Sequence, residues 1–363
     1  MPTPDKPGRI RASEVRTPRL RHHVLFSGEG DGPVVVFVHG NLSTARFFEQ
    51  DLAALPDGYR GIAADLRGFG RSEAAPVDAA RGVRDFADDL AELLASPEAG
   101  GAGRVHLVGW SLGGGVAMQY AIDHPASVAS VTLLASMSPA GFGGTRDAEG
   151  TLCYEDAAGS GAGGVAPGLI EALTASDSGE ENSFAPRPTL RSLYLKPPFR
   201  LPPDHEDLLV AEILMTALGN DNYPGDSRPS PHWPGVAPGT RGVNNSISPL
   251  YCDLSQFAEV ATRIPVLWVH GDSDAIVSDE SMVDFGYLGK IGAVPGWPGD
   301  EYPPQPMVTQ LRAMLARAVA SGGNVTEEVF TDCGHSPHLE QPERFRELLT
   351  RFVNANLHDT EMG

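Results

Sequence analysis

Val105-His106-Leu107-Val108-Gly109-Trp110-Ser111-Leu112-Gly113-Gly114-Gly115-Val116-Ala117-Met118-Gln119-Tyr120 is the stretch that decides how this chain is read. An apolar run of strand type passes at once into Gly-x-Ser-x-Gly and then into small, helix-favouring residues, so Ser111 occupies a strand-to-helix corner, a nucleophile elbow. A turn that tight holds the serine in a strained backbone conformation, and glycine at 109 and 113 lets strand and helix approach without Cβ clashes. The hydroxyl is then held out at the top of a sheet. Because a helix begins there, the Leu112 N–H lacks an intrahelical partner and can face a developing oxyanion. In a chain with 42 glycines the bare pentamer also fits a simple glycine-rich helix start, so the surrounding sequence has to decide.

Upstream, residues 1–21 are polar, proline-containing and unpatterned, and read as an extended arm. Short β-rich runs follow at 24–26, 34–38 and 59–65, with helical periodicity at 44–55 and 83–94. Downstream of the elbow, 128–135 supplies another buried strand. Strands alternating with helices imply an α/β fold with a mostly parallel central sheet and helices on both faces. After residue 140 the rhythm fails. Connections in such folds run ~2–6 residues, whereas roughly 120 separate this strand from Val266-Leu267-Trp268-Val269. Residues 141–263 therefore read as a cap or lid inserted after the sixth core strand, with the core formed by 22–140 and 264–363.

Within the insertion, 141–188 is rich in Gly, Ser, Ala and acidic residues and reads as mobile. The clearest helix is 206–218, presenting Leu208, Leu209, Ile213 and Leu214 for packing; 223–249 is irregular. A second insertion at 289–306 carries Trp297, Tyr302 and five prolines and reads as an ordered loop near the mouth of the site. The sheet resumes at 325–330, and 342–353 is an amphipathic terminal helix.

At 363 residues the chain can bury roughly three quarters of its unfolded surface. Its formal net charge of -20 opposes phosphate backbones and anionic membrane surfaces, so the expected partner is a small molecule rather than nucleic acid or membrane. No apolar run has signal-peptide or membrane-spanning length, which implies a cytoplasmic protein. Cys153, Cys252 and Cys333 are too few and scattered for a disulfide framework or a paired zinc site and read as free thiols.

A serine nucleophile needs a base, and the base an orienting acid. The strand at 266–269 leads into His270-Gly271-Asp272-Ser273-Asp274, and the strand at 325–330 into Thr331-Asp332-Cys333-Gly334-His335. Both segments leave the carboxyl ends of parallel strands, the edge where open α/β sheets place their sites, so Ser111, Asp274 and His335 can converge.

With these motifs in the order nucleophile, acid, histidine, the chain resembles the α/β-hydrolase superfamily, of serine esterase or lactonase type with a large cap insertion. The resemblance covers about 21–140 and 264–357. It rests on His39-Gly40, on Asp65-Leu66-Arg67-Gly68-Phe69-Gly70-Arg71-Ser72, on the elbow, and on Gly271 to Asp274 together with Gly334-His335. It implies Ser111 as nucleophile, His335 as general base and then acid, Asp274 as the residue fixing the imidazole tautomer, and the backbone N–H groups of Asn41 and Leu112 as the oxyanion hole. It implies no metal and no organic cofactor.

Other assignments compete. Asp272 reads as a turn residue and Asp279 as a helix N-cap; after the preceding strand, Ser136-Met137-Ser138-Pro139 offers no carboxylate. His338 reads as locally packed or hydrogen-bonded, His39, His106 and His270 as structural, and His124 as a helix end. A His-Gly-Asn segment similar to 39–41 holds halide in haloalkane dehalogenases, but those use a carboxylate nucleophile, which Ser111 contradicts. Trp110 and Phe47 fit an acyl-pocket wall or the core equally. The resulting expectation is hydrolysis of a bulky, apolar ester or lactone through an acyl-enzyme. Carbon–carbon bond hydrolysis or a proline-type aminopeptidase on the same residues is the alternative, the latter needing an acidic anchor such as Glu206 or Asp207. A ligand-sensing pseudo-hydrolase is the alternative of another class.

Overall fold

Continuous runs of β-branched and apolar residues build the centre of one eight-stranded sheet, seen in a computed structural model that describes residues 10–357. Its strands are β1 (Ile10–Arg16), β2 (Arg21–Ser27), β3 (Val34–Val38), β4 (Arg60–Ala64), β5 (Val105–Trp110), β6 (Val128–Leu134), β7 (Val266–Gly271) and β8 (Val325–Phe330), in the spatial order β1-β2-β4-β3-β5-β6-β7-β8. β1 and β2 run antiparallel to their neighbours and the remaining pairs are parallel. Every residue of β3, β5, β6 and β7 is buried. Helices cover both faces, as parallel strands with no solvent-facing side require. The fold is the α/β arrangement expected.

Register decides where the site can form. Val38 of β3 lies beside Gly109, Trp110 beside Leu134, Leu134 beside Val269, and Gly271 beside Phe330. The segments leaving β3, β5, β7 and β8 therefore emerge from one edge. The chain steps outward from β3 to β4 and then returns to the other side of β3 as β5, a reversal of strand order that opens a crevice at the carboxyl ends.

Part of the stretch read as an unpatterned arm belongs to the sheet. Ile10 to Arg16 pairs residue for residue with β2, and Val15 is fully buried; residues 1–9 lie outside the described part. The strand has weak local signal because it is an edge strand with one wet face.

Residues 135–265 leave β6 and return at β7. Their first portion, expected to be mobile, is tied down between 141 and 162. Gly143 N–H donates to Gln305 Oε1, Ala162 N–H to Asn245 Oδ1 at 2.9 Å, and Ser160 and Ser248 share a 2.7 Å hydrogen bond. Backbone donors satisfied by partners over 80 residues away cannot be inferred from local composition.

The helix expected at 206–218 spans Pro203–Ile213. Its buried stripe is Glu206, Leu209, Val210 and Ile213, at helical spacing, whereas Leu208 and Leu214 are only half-buried. A carboxylate can occupy that stripe because Arg187 and Arg191 both bond it, at 2.7 and 2.6 Å. Glu212 on the same helix is also buried, accepting from Thr44 Oγ1 at 2.8 Å and pairing with Arg71 at 3.0 Å, and so ties the 135–265 segment to the segments after β3 and β4.

The 289–306 loop, expected near the mouth of the site, is fixed by hydrogen bonds and contributes no residue to the cavity that holds Ser111. Trp297 Nε1 donates to Tyr302 O at 2.7 Å, and the buried Tyr302 hydroxyl donates to Ala158 O at 2.9 Å. It braces the 135–265 segment rather than reaching Ser111. Among the described residues no helix is long and apolar enough to cross a membrane, no cluster of His, Cys, Asp and Glu could hold a metal, and the cysteines are free and buried.

Candidate active site

Ser111 sits at φ 56°, ψ −120°, between the end of β5 and the helix Leu112–Asp123. A non-glycine residue there costs on the order of 1–3 kcal/mol and persists only where its surroundings over-determine it. They do so here. The Ser111 N–H donates to Leu134 O at 3.0 Å, and its carbonyl accepts from Gly114 and Met137 at 3.0 and 3.1 Å. A Cβ on Gly109 would overlap the Gly113 carbonyl, and one on Gly113 would overlap Val38 O. Both glycines are thus required by close backbone approach.

His335 and Asp274 come together as the sequence suggests. Both side chains are 1% exposed, and His335 Nδ1 lies 2.7 Å from Asp274 Oδ2. The other oxygen, Asp274 Oδ1, accepts from the N–H groups of Ile276 and Val277 at 2.7 and 2.9 Å, which locks the carboxylate plane. With an ionised Asp274 as acceptor, Nδ1 carries the ring proton and Nε2 keeps a lone pair. Asp272 instead accepts from Asp332 N–H at 3.1 Å, as a turn residue. Asp279 accepts from Val308 and Thr309 N–H at the start of the helix Met307–Ala320, a cap on a helix distant in sequence.

Glu340, not singled out in the sequence, holds the backbone just before His335. It accepts from Gly334 N–H at 2.9 Å and Lys196 N–H at 2.8 Å, while burial pushes its carboxyl above the ordinary range. Its placement three residues after Pro337 carries no local signal for this role.

The segment after β3 supplies the other wall. Leu66 N–H donates to His39 Nε2 at 2.8 Å, so Nδ1 carries the proton and donates to Gly40 O at 2.8 Å. Ser43 Oγ donates to the same carbonyl at 2.8 Å. Burial drives the His39 pKa down to about 4, which keeps it neutral. Since a trans peptide sets C=O and N–H in opposite directions, gripping the Gly40 carbonyl aims the Asn41 N–H the other way. The Asn41 carbonyl accepts from the Tyr194 hydroxyl at 2.9 Å, and its side-chain Nδ2 donates to Asn244 Oδ1 at 2.9 Å. Leu42 follows at φ 46°. Among the described residues, neither the Asn41 nor the Leu112 N–H has an acceptor.

Asn41, Leu112, Ser111 and His335 all line a cavity of about 450 Å³. Much of its remaining wall comes from residues 135–265, including Phe142, Leu169, Tyr194 and Ile247, and from Ile276 to Leu288 after β7. None of the lining residues is Asp, Glu, Lys or Arg. Asp274 is not among the lining residues and meets the imidazole at Nδ1.

Several other candidates lie elsewhere. Trp110 and Phe47 stack at 5.5 Å inside the core and do not line the cavity. Glu206 is taken up by Arg187 and Arg191, and Asp207 is exposed beside Arg187. His338 is buried, stacked on Phe48 at 4.7 Å, with neither ring nitrogen partnered among the described residues; desolvation holds its pKa well below the usual histidine range. His106 shares a 2.8 Å bond with Ser130 Oγ, and His270 a 3.0 Å bond with Glu327. His124 follows the helix at Asp123.

Comparison with known proteins gives consistent relationships. The alpha/beta hydrolase fold family matches residues 33–152. A Variovorax paradoxus protein named "Putative carbamate hydrolase RutD" is 39% identical over 138 residues, 38% of this chain and 50% of that protein. The chain thus spans half of that relative's length. A pimeloyl-(acyl-carrier protein) methyl ester esterase of Aeromonas hydrophila is 24% identical over 331 residues, covering 89% of this chain and 96% of that protein. Among solved structures, the carboxylesterase CesB from Bacillus subtilis superposes with a TM-score of 0.57 at 18% identity, over 97% of this chain and 94% of that one, a likeness of fold.

Proposed function

The chain belongs to the α/β-hydrolase superfamily, and from that premise we propose that it is a serine hydrolase acting on a neutral, bulky and apolar carboxylic ester or lactone. The observation that carries the reading is the strained Ser111 corner opening, with His335 and its Asp274 partner, into a cavity without a formally charged wall. Ser111 Oγ attacks the acyl carbon as its proton passes to His335 Nε2. The tetrahedral oxyanion is received by the N–H groups of Asn41 and Leu112, each such donor being worth ~10²–10³ in rate. Collapse breaks the acyl C–O bond, and the alkoxide leaves with the proton from His335. Water then gives a proton to His335 and its oxygen to the acyl carbon, releasing the acid and restoring Ser111.

Residues 135–265 act in this reading as a cap that supplies the acyl wall and excludes water. The names of the relatives, a methyl ester esterase among them, support ester chemistry. An aminopeptidase is disfavoured, because a substrate ammonium needs a carboxylate in the cavity and Glu206 is committed to arginines. The test is a panel of p-nitrophenyl esters, lactones and amino-acid anilides, run beside a fluorophosphonate label. Turnover of esters or lactones with Ser111 labelled is the expected result; anilide turnover alone, or no labelling, would overturn it.

A further inference from the structure

Two large apolar side chains mark where the cavity meets solvent. Phe184 is 47% exposed and Met282 45% exposed, and both line the cavity that contains Ser111. They come from different parts of the chain, Phe184 from the 135–265 segment and Met282 from the connection after β7. A single exposed apolar side chain is ordinary, but two of this size on the rim of one apolar cavity mark a place where an apolar ligand can gain cover. Inward of them Val165, Leu169 and Leu288 line the same cavity as Ser111, interspersed with the uncharged polar residues Ser183, Thr189 and Ser192.

Neither lip is a loose tip. The Phe184 N–H donates to Asn182 Oδ1 at 3.1 Å, and Asn182 Nδ2 donates to Asp177 Oδ2 at 3.1 Å. The Met282 N–H donates to Ala275 O at 2.9 Å. The Phe184 ring lies against the first turn of the helix Pro167–Thr174, where a Cβ on Gly168 would come within 2.6 Å of it. Glycine at 168 therefore sets where that ring can rest.

On the reading of this cavity as the acyl site, we propose that Phe184 and Met282 are the lips of an open-ended acyl channel. The substrate is then an ester of a long, unbranched acyl chain whose far end emerges between them. The occupant is the substrate's own hydrocarbon tail, since both lips line the same largely apolar, uncharged cavity as the reacting serine. A short acyl group would leave both lips in water.

The experiment compares an ethyl and a dodecyl fluorophosphonate on the full chain. In each, an O–P bond forms to Ser111, the P–F bond breaks, fluoride leaves, and the hydroxyl proton passes to His335. The expected result is a long-to-short ratio of labelling rates well above one. Phe184→Ser and Met282→Ser should each lower that ratio about tenfold, the equivalent of one or two methylenes losing apolar cover. Gly168→Ala, which suits a helix, should lower it in the same direction by displacing the ring. A wild-type ratio near one, or a ratio unmoved in all three variants, overturns the channel while leaving Ser111 as the labelled residue. Absence of labelling by both probes overturns the hydrolase reading and the channel with it.

Discussion

The indole Nε1–H of Trp110 donates to the backbone carbonyl of His335 at 2.8 Å, with both residues buried. The residue preceding Ser111 thus holds the loop that carries the imidazole, tying the end of β5 to the segment after β8. Trp110→Phe keeps an aromatic in the core but leaves that carbonyl unpaired, which costs about 1–3 kcal/mol. The expected outcome is a stability loss of that size in chemical denaturation and a roughly tenfold slower fluorophosphonate reaction. Labelling at the wild-type rate would mean the bond does not position His335.

Ser111→Ala should abolish labelling and lower ester turnover by about 10⁶-fold with the fold retained. His335→Ala should cost a comparable factor. Asp274→Asn should cost roughly 10⁴-fold, because an amide no longer demands the Nδ1–H tautomer. Asp279→Asn serves as the control, since that carboxylate caps a helix. A large activity loss in the control together with an active Asp274→Asn would reassign the acid.

Asn41 is held from the 135–265 segment at two points, its carbonyl by the Tyr194 hydroxyl and its side-chain amide by Asn244. Tyr194→Phe and Asn244→Ala leave the backbone donor in place but release its orientation. Each is expected to lower kcat about tenfold, less than the ~10²–10³ for outright loss of a donor, while KM stays near its wild-type value. Steady-state kinetics on one short ester checks this; a rise in KM at constant kcat would assign these residues to ground-state binding instead.

Burial, with Arg104 nearby, drives the His106 pKa from 6.5 down to about 4. As pH falls below 6.5 the unfolded chain takes up the proton first, so the stabilising contribution of neutral His106 is present above 6.5 and is lost as pH falls to about 4. Asp51 and Asp284, raised by burial to about 6, act oppositely: their contribution is full below 3.8 and is lost as pH rises through about 6. The whole-protein curve mixes these, and a variant separates them. His106→Gln should lose less stability than wild type between pH 7 and 4.5, by up to about 1.4 kcal/mol per pH unit. Parallel denaturation curves for the two proteins would contradict a buried neutral His106.

The sequence by itself determined the centre of the fold. The apolar runs of β3, β5, β6 and β7 read as buried parallel strands because each lies wholly within a short window and needs no partner to be recognised. The glycines at 109 and 113 likewise announce a corner, since a Cβ clash is a local geometric fact. Gly271 to Asp274 and Gly334-His335 were legible because each follows a strand directly, and a parallel register brings such ends to one edge. What only the tertiary structure decided depends on groups that meet after long loops close. Strand β1 exists through its pairing with β2. Glu206 lies in a buried stripe because Arg187 and Arg191 arrive from another segment, and a hydrophobicity pattern places a lone carboxylate outside. Tyr194 and Asn244 reach Asn41 across more than 150 residues. The cavity, too, is written in no single window, because its wall is shared among the segments that follow β3, β5, β7 and β8 and the 135–265 segment, and a wall of that kind is a property of packing rather than of any local run.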